Sequence, residues 1–238
     1  MQDVSIILPL YNEQGNARQV VDRILSSFPD DIELIIVDDG STDATSDEIP
    51  KDKCVYIKHD TNQGKGIAIK SALNHSNRKI VAFIDGDMQD DPNDLLEVCQ
   101  LIRDGADMAI GSRFVNDISD KRYSNKAVLP VNQFGNKFLT FLINTLFGGN
   151  LTDTQASIKA FQTDKLKALN IISSRYEIET ELVVRSLCAN YKIKEFPVQR
   201  YERQHGISNL FDIPFGRFFF ALRALRIILK GFVQWKTM

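Results

Sequence analysis

Residues 80–92 read IVAFIDGDMQDDP. The apolar, β-branched run from Ile80 to Ile84 stops abruptly at Asp85 and Asp87, with Gln89, Asp90 and Asp91 close behind. A buried strand that runs into acids delivers them to the carboxyl edge of its sheet, where open α/β sheets bind ligands. Residues two apart on an extended segment point the same way, so Asp85 and Asp87 are set to converge on one hard cation. Carboxylate oxygens suit Mg²⁺ or Mn²⁺, and Mg²⁺ commonly bridges such groups to substrate phosphates. A plainer reading of the same residues is a solvated acidic loop that opens a helix. Asp90 and Asp91 precede Pro92 as capping residues precede a first-turn proline.

The stretches on either side settle the fold class. Upstream, Val4–Pro9, Leu34–Val37 and Cys54–Lys58 are short apolar runs that read as strands. Between them, Glu13–Phe28, Thr42–Ile49 and Gly64–His75 read as helices, the first with Val20, Val21, Ile24 and Leu25 recurring on one face. Downstream, Pro92–Arg103 is a helix and Asp107–Ile110 a fifth strand. Strands alternating with helices predict an α/β fold: a mainly parallel, Rossmann-like sheet with helices on both faces. Polar chemistry stands at every strand end: Tyr11-Asn12-Glu13, Asp38-Asp39, Asp85-Gly86-Asp87 and Gly111-Ser112-Arg113. No Gly-x-Gly-x-x-Gly follows the first strand, and Gly64-Lys65-Gly66 is only a loose echo of a phosphate loop.

Composition excludes several classes. The chain has 238 residues, 43% hydrophobic and 25% charged, which suits one packed domain with an appendage. A net charge of −2 gives no reason to expect nucleic-acid binding. Three cysteines fit no paired spacing and read as buried thiols in a reducing compartment. Met1–Asp3 leads straight into a strand, so no signal peptide is expected, and no apolar stretch reaches the length of a membrane span.

LPLYNE, VDDGSTD, NQGKG, DGDMQDDP and GSRF occur in this order and spacing. Together they resemble the family 2 glycosyltransferases of the GT-A fold, in particular dolichol-phosphate mannose synthase and other polyprenyl-phosphate glycosyltransferases. The resemblance implies that Pro9, Tyr11, Asn12 and Glu13 line the nucleoside pocket, with Gly64, Lys65 and Gly86 also on the donor side. It implies that Asp38 or Asp39 accepts hydrogen bonds from the base and Asp85 from the ribose region. Asp87 would hold the cation that neutralises the diphosphate, with Asp85 and Gln89 as further oxygen ligands. Two plainer roles remain for these residues: core packing for Tyr11, and for Glu13 an acid at a helix start.

The second half is less regular. Lys121, Arg122, Lys126 and Lys137 flank an apolar stretch from Phe134 to Phe147, in which Phe138, Phe141, Leu142 and Leu146 recur at helical spacing and Leu139, Ile143 and Phe147 broaden the face. A helix over about 126–147 fits either packing on the domain or lying in a membrane surface. LTDTQASIKAF, residues 151–161, is similar to a segment of the dolichol-phosphate mannose synthase relatives, which makes Asp153 a candidate base. Tyr176–Cys188 reads as an amphipathic helix with acids at its positive end, and the resemblance puts Glu179 near the sugar. Ile193–Arg200 is expected to be an edge strand. Arg203, Gly206 and Ser208 then match a phosphate-closing loop of the polyprenyl-phosphate enzymes, but Asn209 stands where lysine is usual. Arg113 compensates for that missing charge, since guanidinium binds phosphate oxygens in bidentate fashion. His205 is not assigned a catalytic role. Residues 214–235, PFGRFFFALRALRIILKGFVQW, set Arg223, Arg226 and Lys230 on one face against an aromatic-rich arc, the pattern of an interfacial helix.

The resemblance implies an inverting, metal-dependent transfer using Mg²⁺ or Mn²⁺. A hexose would move from a nucleotide-sugar of the GDP-mannose or UDP-glucose type to a polyprenyl phosphate such as dolichyl or undecaprenyl phosphate. Asp87, Arg113, Asp153 and Arg203 would carry the catalysis, and Arg113, Arg203 and Ser208 the acceptor phosphate. The catalytic domain would span 1–210, with a membrane-surface helix over 211–238. The protein would be cytoplasmic, peripheral on the inner face of a membrane, with a separate membrane subunit or a second copy as partner. Two alternatives stand beside this: transfer to a saccharide hydroxyl with Asp153 or Glu179 as base, and a non-catalytic nucleotide-sugar-binding scaffold.

Overall fold

The computed structural model describes residues 3–28, 32–115, 130–203 and 216–237. Its first half alternates as the periodicity predicts: β1 (Val4–Leu10), α1 (Ala17–Ser27), β2 (Glu33–Asp38), α2 (Thr45–Glu48), β3 (Val55–Lys58), α3 (Lys65–Leu73), β4 (Ile80–Phe83), α4 (Pro92–Arg103) and β5 (Met108–Ser112). The second half adds α5 (Pro130–Phe147), β6 (Lys159–Gln162), α6 (Thr163–Ala168), α7 (Ile178–Cys188), β7 (Ile193–Pro197) and α8 (Gly216–Lys236). The seven strands form one sheet in the order β3-β2-β1-β4-β6-β5-β7. All pairings are parallel except those of β6, which runs antiparallel to both β4 and β5.

Alternation along the strands builds two cores. Ile6 and Leu8 of β1 join Ile36 of β2 against α1 and α4 on one face, where Val20, Ile24, Leu95 and Val98 are buried. Ile7 points the other way and meets Ile35, Val81 and Phe83 under α3, α5 and α7. Phe83 and Phe161 pack with ring centroids 6.0 Å apart across the β4–β6 pair. Truncating either to alanine costs about 3–5 kcal/mol, the usual loss for a buried ring. The sequence of α4 specifies its own limits. The Asp91 side chain caps the Asn93 N–H at 2.9 Å, Pro92 takes the first turn, and Leu95, Val98, Cys99 and Ile102 form the buried stripe. Arg103 in its last turn closes a forked ion pair on Asp3.

The structure departs from the sequence reading at β6 and α5. The sequence did not reveal β6, whose four residues enter the sheet against the direction of their neighbours. The buried stripe of α5 is Leu139, Ile143 and Phe147, while Phe134, Phe138 and Phe141 stay exposed, the inverse of the expected emphasis. In α8, Ala224 and Ile228 are buried, and the helix packs on α7 and α5. Trp235 folds back onto the Phe147 ring at 5.8 Å. Strand β7 is an edge, as expected, and ends at Pro197. Arg200 leaves it to form an isolated bridge with Asp90. No helix among the described residues is long and apolar enough to cross a membrane. The basic residues Lys121, Arg122 and Lys126, and the loop residues His205, Gly206, Ser208 and Asn209, lie outside the described residues.

Candidate active site

The parallel strands end at one edge, and the site is assembled there from their loops. After β1, Pro9 pairs opposite Val37, and the chain turns through Asn12 at φ 53°. That turn is locked to the loop after β2. Asn12 donates its N–H to Ser41 Oγ at 3.0 Å and accepts the Thr42 N–H at 2.8 Å, while the Glu13 N–H reaches Thr45 Oγ1 at 2.8 Å. Tyr11 is half-buried at this mouth and Glu13 is buried. Burial raises the Glu13 carboxyl, and the opposing charge of Arg203 offsets this only in part.

Asp38 and Asp39 fall at the predicted strand end, but both carboxylates are committed to the loops. Asp38 accepts the Ser41 N–H at 2.8 Å and the Tyr56 hydroxyl at 3.1 Å. Asp39 accepts the N–H groups of Gln63 and Gly64 at 3.0 and 2.7 Å, and meets His59 Nδ1 at 2.6 Å. Asp39 thereby pins the start of α3. Gly64 is at φ +101°, and Gly66 lies so close to the segment before α7 that a Cβ there would be 2.4 Å from Ser173 O.

That pinning presents Lys65 to the acids. Its ammonium lies 2.5 Å from Asp85 Oδ1 and 2.7 Å from Glu179 Oε1. The other Glu179 oxygen takes Lys159, a fully buried lysine on β6, at 2.5 Å. Burial raises the Asp85 carboxyl, but Lys65 outweighs it and leaves the group below its ordinary value. Burial lowers Lys159, and Glu179 works against that shift. Both oxygens of Glu179 are thus held by cations.

Beyond Gly86, which packs under Leu10, Asp87 occupies the crowded centre. Burial raises its carboxyl, Arg200 pulls it back, and the charges of Asp85 and Asp90 push it up again. Arg200 and Arg203 reach Asp87 Oδ2 at 3.5 and 3.3 Å, and Arg203 also meets Glu13 Oε1 at 3.2 Å. Gln89 accepts from Arg200 through Oε1 at 2.9 Å and donates to Tyr201 O at 3.0 Å. On the far side, Arg113 and Asp153 face each other. Arg113 Nε and NH2 donate to the two Asp153 oxygens at 2.6 and 2.9 Å, and the Arg113 N–H adds a third contact at 3.1 Å. Glu195 of β7 holds the backbone N–H groups of Thr152 and Asp153 at 2.9 and 3.0 Å.

The structure therefore brings Glu13, Lys65, Asp85, Asp87, Gln89 and Arg203 together, and sets Arg113 with Asp153 beside them. It turns Asp38 and Asp39 toward loop support. Ser208 is outside the described residues. Sequence reasoning missed Arg200, which bonds Asp90 at 2.9 Å and Ser157 at 3.1 Å as well as Gln89. Its only signal was the acid surplus of residues 85–91, which needs a buried counter-charge somewhere in the chain. Among the described residues no group of three or more His, Cys, Asp or Glu is arranged to hold a metal ion. Two neighbouring carboxylates with hard oxygens are nevertheless what Mg²⁺ takes from a protein when substrate phosphates complete its shell. Asp85 and Asp87, crowded as they are, fit that requirement.

Comparison with known proteins follows the same lines. The family description "Glycosyl transferase family 2" matches residues 5–169. The chain is 28% identical to a UDP-N-acetylglucosamine–dolichyl-phosphate N-acetylglucosaminyltransferase of Methanococcus voltae, over 94% of this chain and 96% of that one. It is 27% identical to the polyprenol monophosphomannose synthase of Mycolicibacterium smegmatis, over 88% and 81%. In fold it is similar to glucosyl-3-phosphoglycerate synthase of Mycobacterium tuberculosis, crystallised with Mn²⁺, UDP and phosphoglyceric acid. The TM-score is 0.75 at 17% identity, covering 97% of this chain and 78% of that one.

Proposed function

This chain belongs to glycosyl transferase family 2 and is a glycosyltransferase, and from that premise we propose that it moves a hexose from a nucleotide-sugar to the phosphate of a polyprenyl carrier. The observation that carries the acceptor assignment is the state of the two candidate bases. Asp153 gives both oxygens to Arg113, and Glu179 gives both to Lys65 and Lys159. Neither is available to take a proton from a sugar hydroxyl. An ionised phosphate is already nucleophilic at neutral pH and asks for no base. The names of the relatives above, a dolichyl-phosphate N-acetylglucosaminyltransferase and a polyprenol monophosphomannose synthase, support the same reading.

In this reading the nucleoside enters between the loops after β1 and β2, near Pro9, Tyr11 and Asn12. Asp85 and Asp87 hold Mg²⁺ or Mn²⁺, which when bound supplies the positive charge that makes a diphosphate a good leaving group. Lys65 keeps Asp85 ionised. Arg203, with Ser208 and Arg113, receives the acceptor phosphate, and attack from the face opposite the leaving group inverts the anomeric carbon. Residues 1–210 carry this chemistry.

The membrane contact belongs to α5 and to the C-terminal segment 211–238. Phe134, Phe138 and Phe141 on α5, and Phe218, Phe219 and Leu222 on α8, are exposed. Neither helix contains an acidic residue, while Lys137, Arg223, Arg226 and Lys230 are exposed among the rings. Exposed aromatic and basic side chains with no acid between them suit an anionic bilayer face. Three free cysteines suit the reducing, cytoplasmic side.

The test is product formation by the purified protein with Mg²⁺ or Mn²⁺, a panel of labelled nucleotide-sugars and a short-chain polyprenyl phosphate, with Asp87→Ala as control. Label extracted into the organic phase, and lost in the variant, is expected. Transfer to a saccharide but not to lipid would overturn the acceptor assignment. Donor binding with no transfer to either would favour a scaffold.

A further inference from the structure

Two arginines reach the same oxygen of Asp87, and they are held differently. Arg200 is anchored by Asp90, Ser157 and Gln89 at 2.9, 3.1 and 2.9 Å, and approaches Asp87 Oδ2 only at 3.5 Å. Arg203 comes from the chain just beyond the edge strand. Its NH2 lies 3.3 Å from Asp87 Oδ2 and 3.2 Å from Glu13 Oε1. Both of these contacts are with donor-side carboxylates. A guanidinium and a divalent cation cannot both take full advantage of one carboxylate, because their own charges repel across it. Guanidinium, in turn, exchanges carboxylate for phosphate readily, since its donor fork matches either.

We propose that Arg203 is the counter-ion that a divalent cation displaces from Asp87, and that the displaced guanidinium is what the acceptor phosphate then binds. This rests on the metal and acceptor roles proposed above. The exchange makes the cation and Arg203 competitors, and the cation and the acceptor phosphate partners. Linkage between them is reciprocal. The cation and the acceptor phosphate therefore each bind more tightly in the presence of the other. Arg200 stays in place throughout, because its other three partners are untouched by the exchange.

The experiment is a calorimetric titration with Mn²⁺ alone into the unchanged chain, Arg203→Met, Arg203→Lys and Asp87→Ala. Binding of citronellyl phosphate with and without Mg²⁺ is then measured on the first two. Arg203→Met is expected to bind Mn²⁺ at least about fivefold more tightly, the lower end of ordinary coupling between sites, while Arg203→Lys stays near the unchanged chain. Damage to the fold would weaken binding rather than tighten it. Mg²⁺ is expected to strengthen citronellyl phosphate binding in the unchanged chain, and Arg203→Met to lose most of that gain. Mn²⁺ affinity that ignores Arg203→Met overturns the displacement. Tighter Mn²⁺ with the phosphate gain intact overturns the delivery to phosphate. If Asp87→Ala leaves Mn²⁺ binding unchanged, or no Mn²⁺ binds at all, the metal assignment itself fails and this proposal falls with it.

Discussion

Arg113 and Asp153, forty residues apart in sequence, hold each other through three donors on one carboxylate. The pair is buried on both sides, at 9% and 0% side-chain exposure. A carboxylate so occupied is a poor proton acceptor, and burial that would raise it is outweighed by the Arg113 charge, which leaves it below its ordinary value. Arg113 is in turn a charge already matched, so any phosphate it binds has to share it with Asp153.

Asp153→Asn is expected to destabilise the protein by about 3–5 kcal/mol, the usual consequence of breaking one side of a buried pair. The pH dependence follows from the direction of the shift. A carboxyl held below its unfolded value stabilises above that value, and the contribution disappears as pH falls through the folded one. Urea melts from pH 3 to pH 8 should therefore show an acid limb below about pH 4 that is smaller in the variant. Unchanged stability with abolished transfer would make Asp153 a base after all.

Gly66→Ala tests the seat of Lys65. The new Cβ would fall 2.4 Å from Ser173 O, a backbone atom with little room to move. Overpacking of this kind costs about 1–3 kcal/mol. Because Lys65 is the neighbouring residue, nucleotide binding measured by calorimetry should weaken together with the melting temperature. A stable variant with intact nucleotide affinity would show that α3 shifts without consequence.

Thiol chemistry reports on the packing of α4. Burial pushes Cys99 up to about 12 and Cys54 up to about 11. Cys99 is also fully covered. Native protein treated with iodoacetamide at pH 8 should show Cys99 unmodified by mass spectrometry until urea is added. Alkylation of Cys99 as fast as that of half-buried Cys188 would mean that α4 opens readily.

The exposed rings give a separable prediction. Replacing Phe138, Phe141, Phe218 and Leu222 together by serine should reduce co-sedimentation with anionic vesicles by about tenfold or more, since each apolar side chain lost from the bilayer boundary removes apolar burial. Nucleotide binding should be unchanged, as exposed positions of this kind seldom alter stability by more than about 0.5 kcal/mol each. Vesicle binding that persists in this variant would move the membrane contact elsewhere.

Strands β1, β2, β4 and β5 were legible because strands covered on both faces read as continuous apolar runs, and the acids that follow β1, β2 and β4 land at one edge by construction. Asp85, Asp87 and Glu13 could be placed from that alone, whereas Lys65 came only through the family resemblance. Asp38 and Asp39 show the limit of the argument. Position at the edge was readable, but the commitment of both carboxylates to the Ser41, Gln63 and Gly64 N–H groups was not. The Arg113–Asp153 pair and the clasp of Arg200 on Asp90 depend on how distant segments meet, and no spacing rule records that. For α5, the sequence offered two overlapping apolar stripes. Only the presence of α7 and α8 against one of them selects Leu139, Ile143 and Phe147.

The antiparallel strand β6 also has a consequence for synthesis on the ribosome. It is the sole link between β4 and β5, which do not pair with each other. While the chain is being made, β1 to β4 can assemble as they emerge. β5 must wait for residues 159–162, and its other neighbour arrives only with residues 193–197. Until then the nascent sheet has an open edge at β4, and β5 has no partner on either side. Such edges recruit other strands. The late arrival of four residues, KAFQ, is the point at which the growing chain becomes one continuous sheet and the two halves of the cleft first face each other.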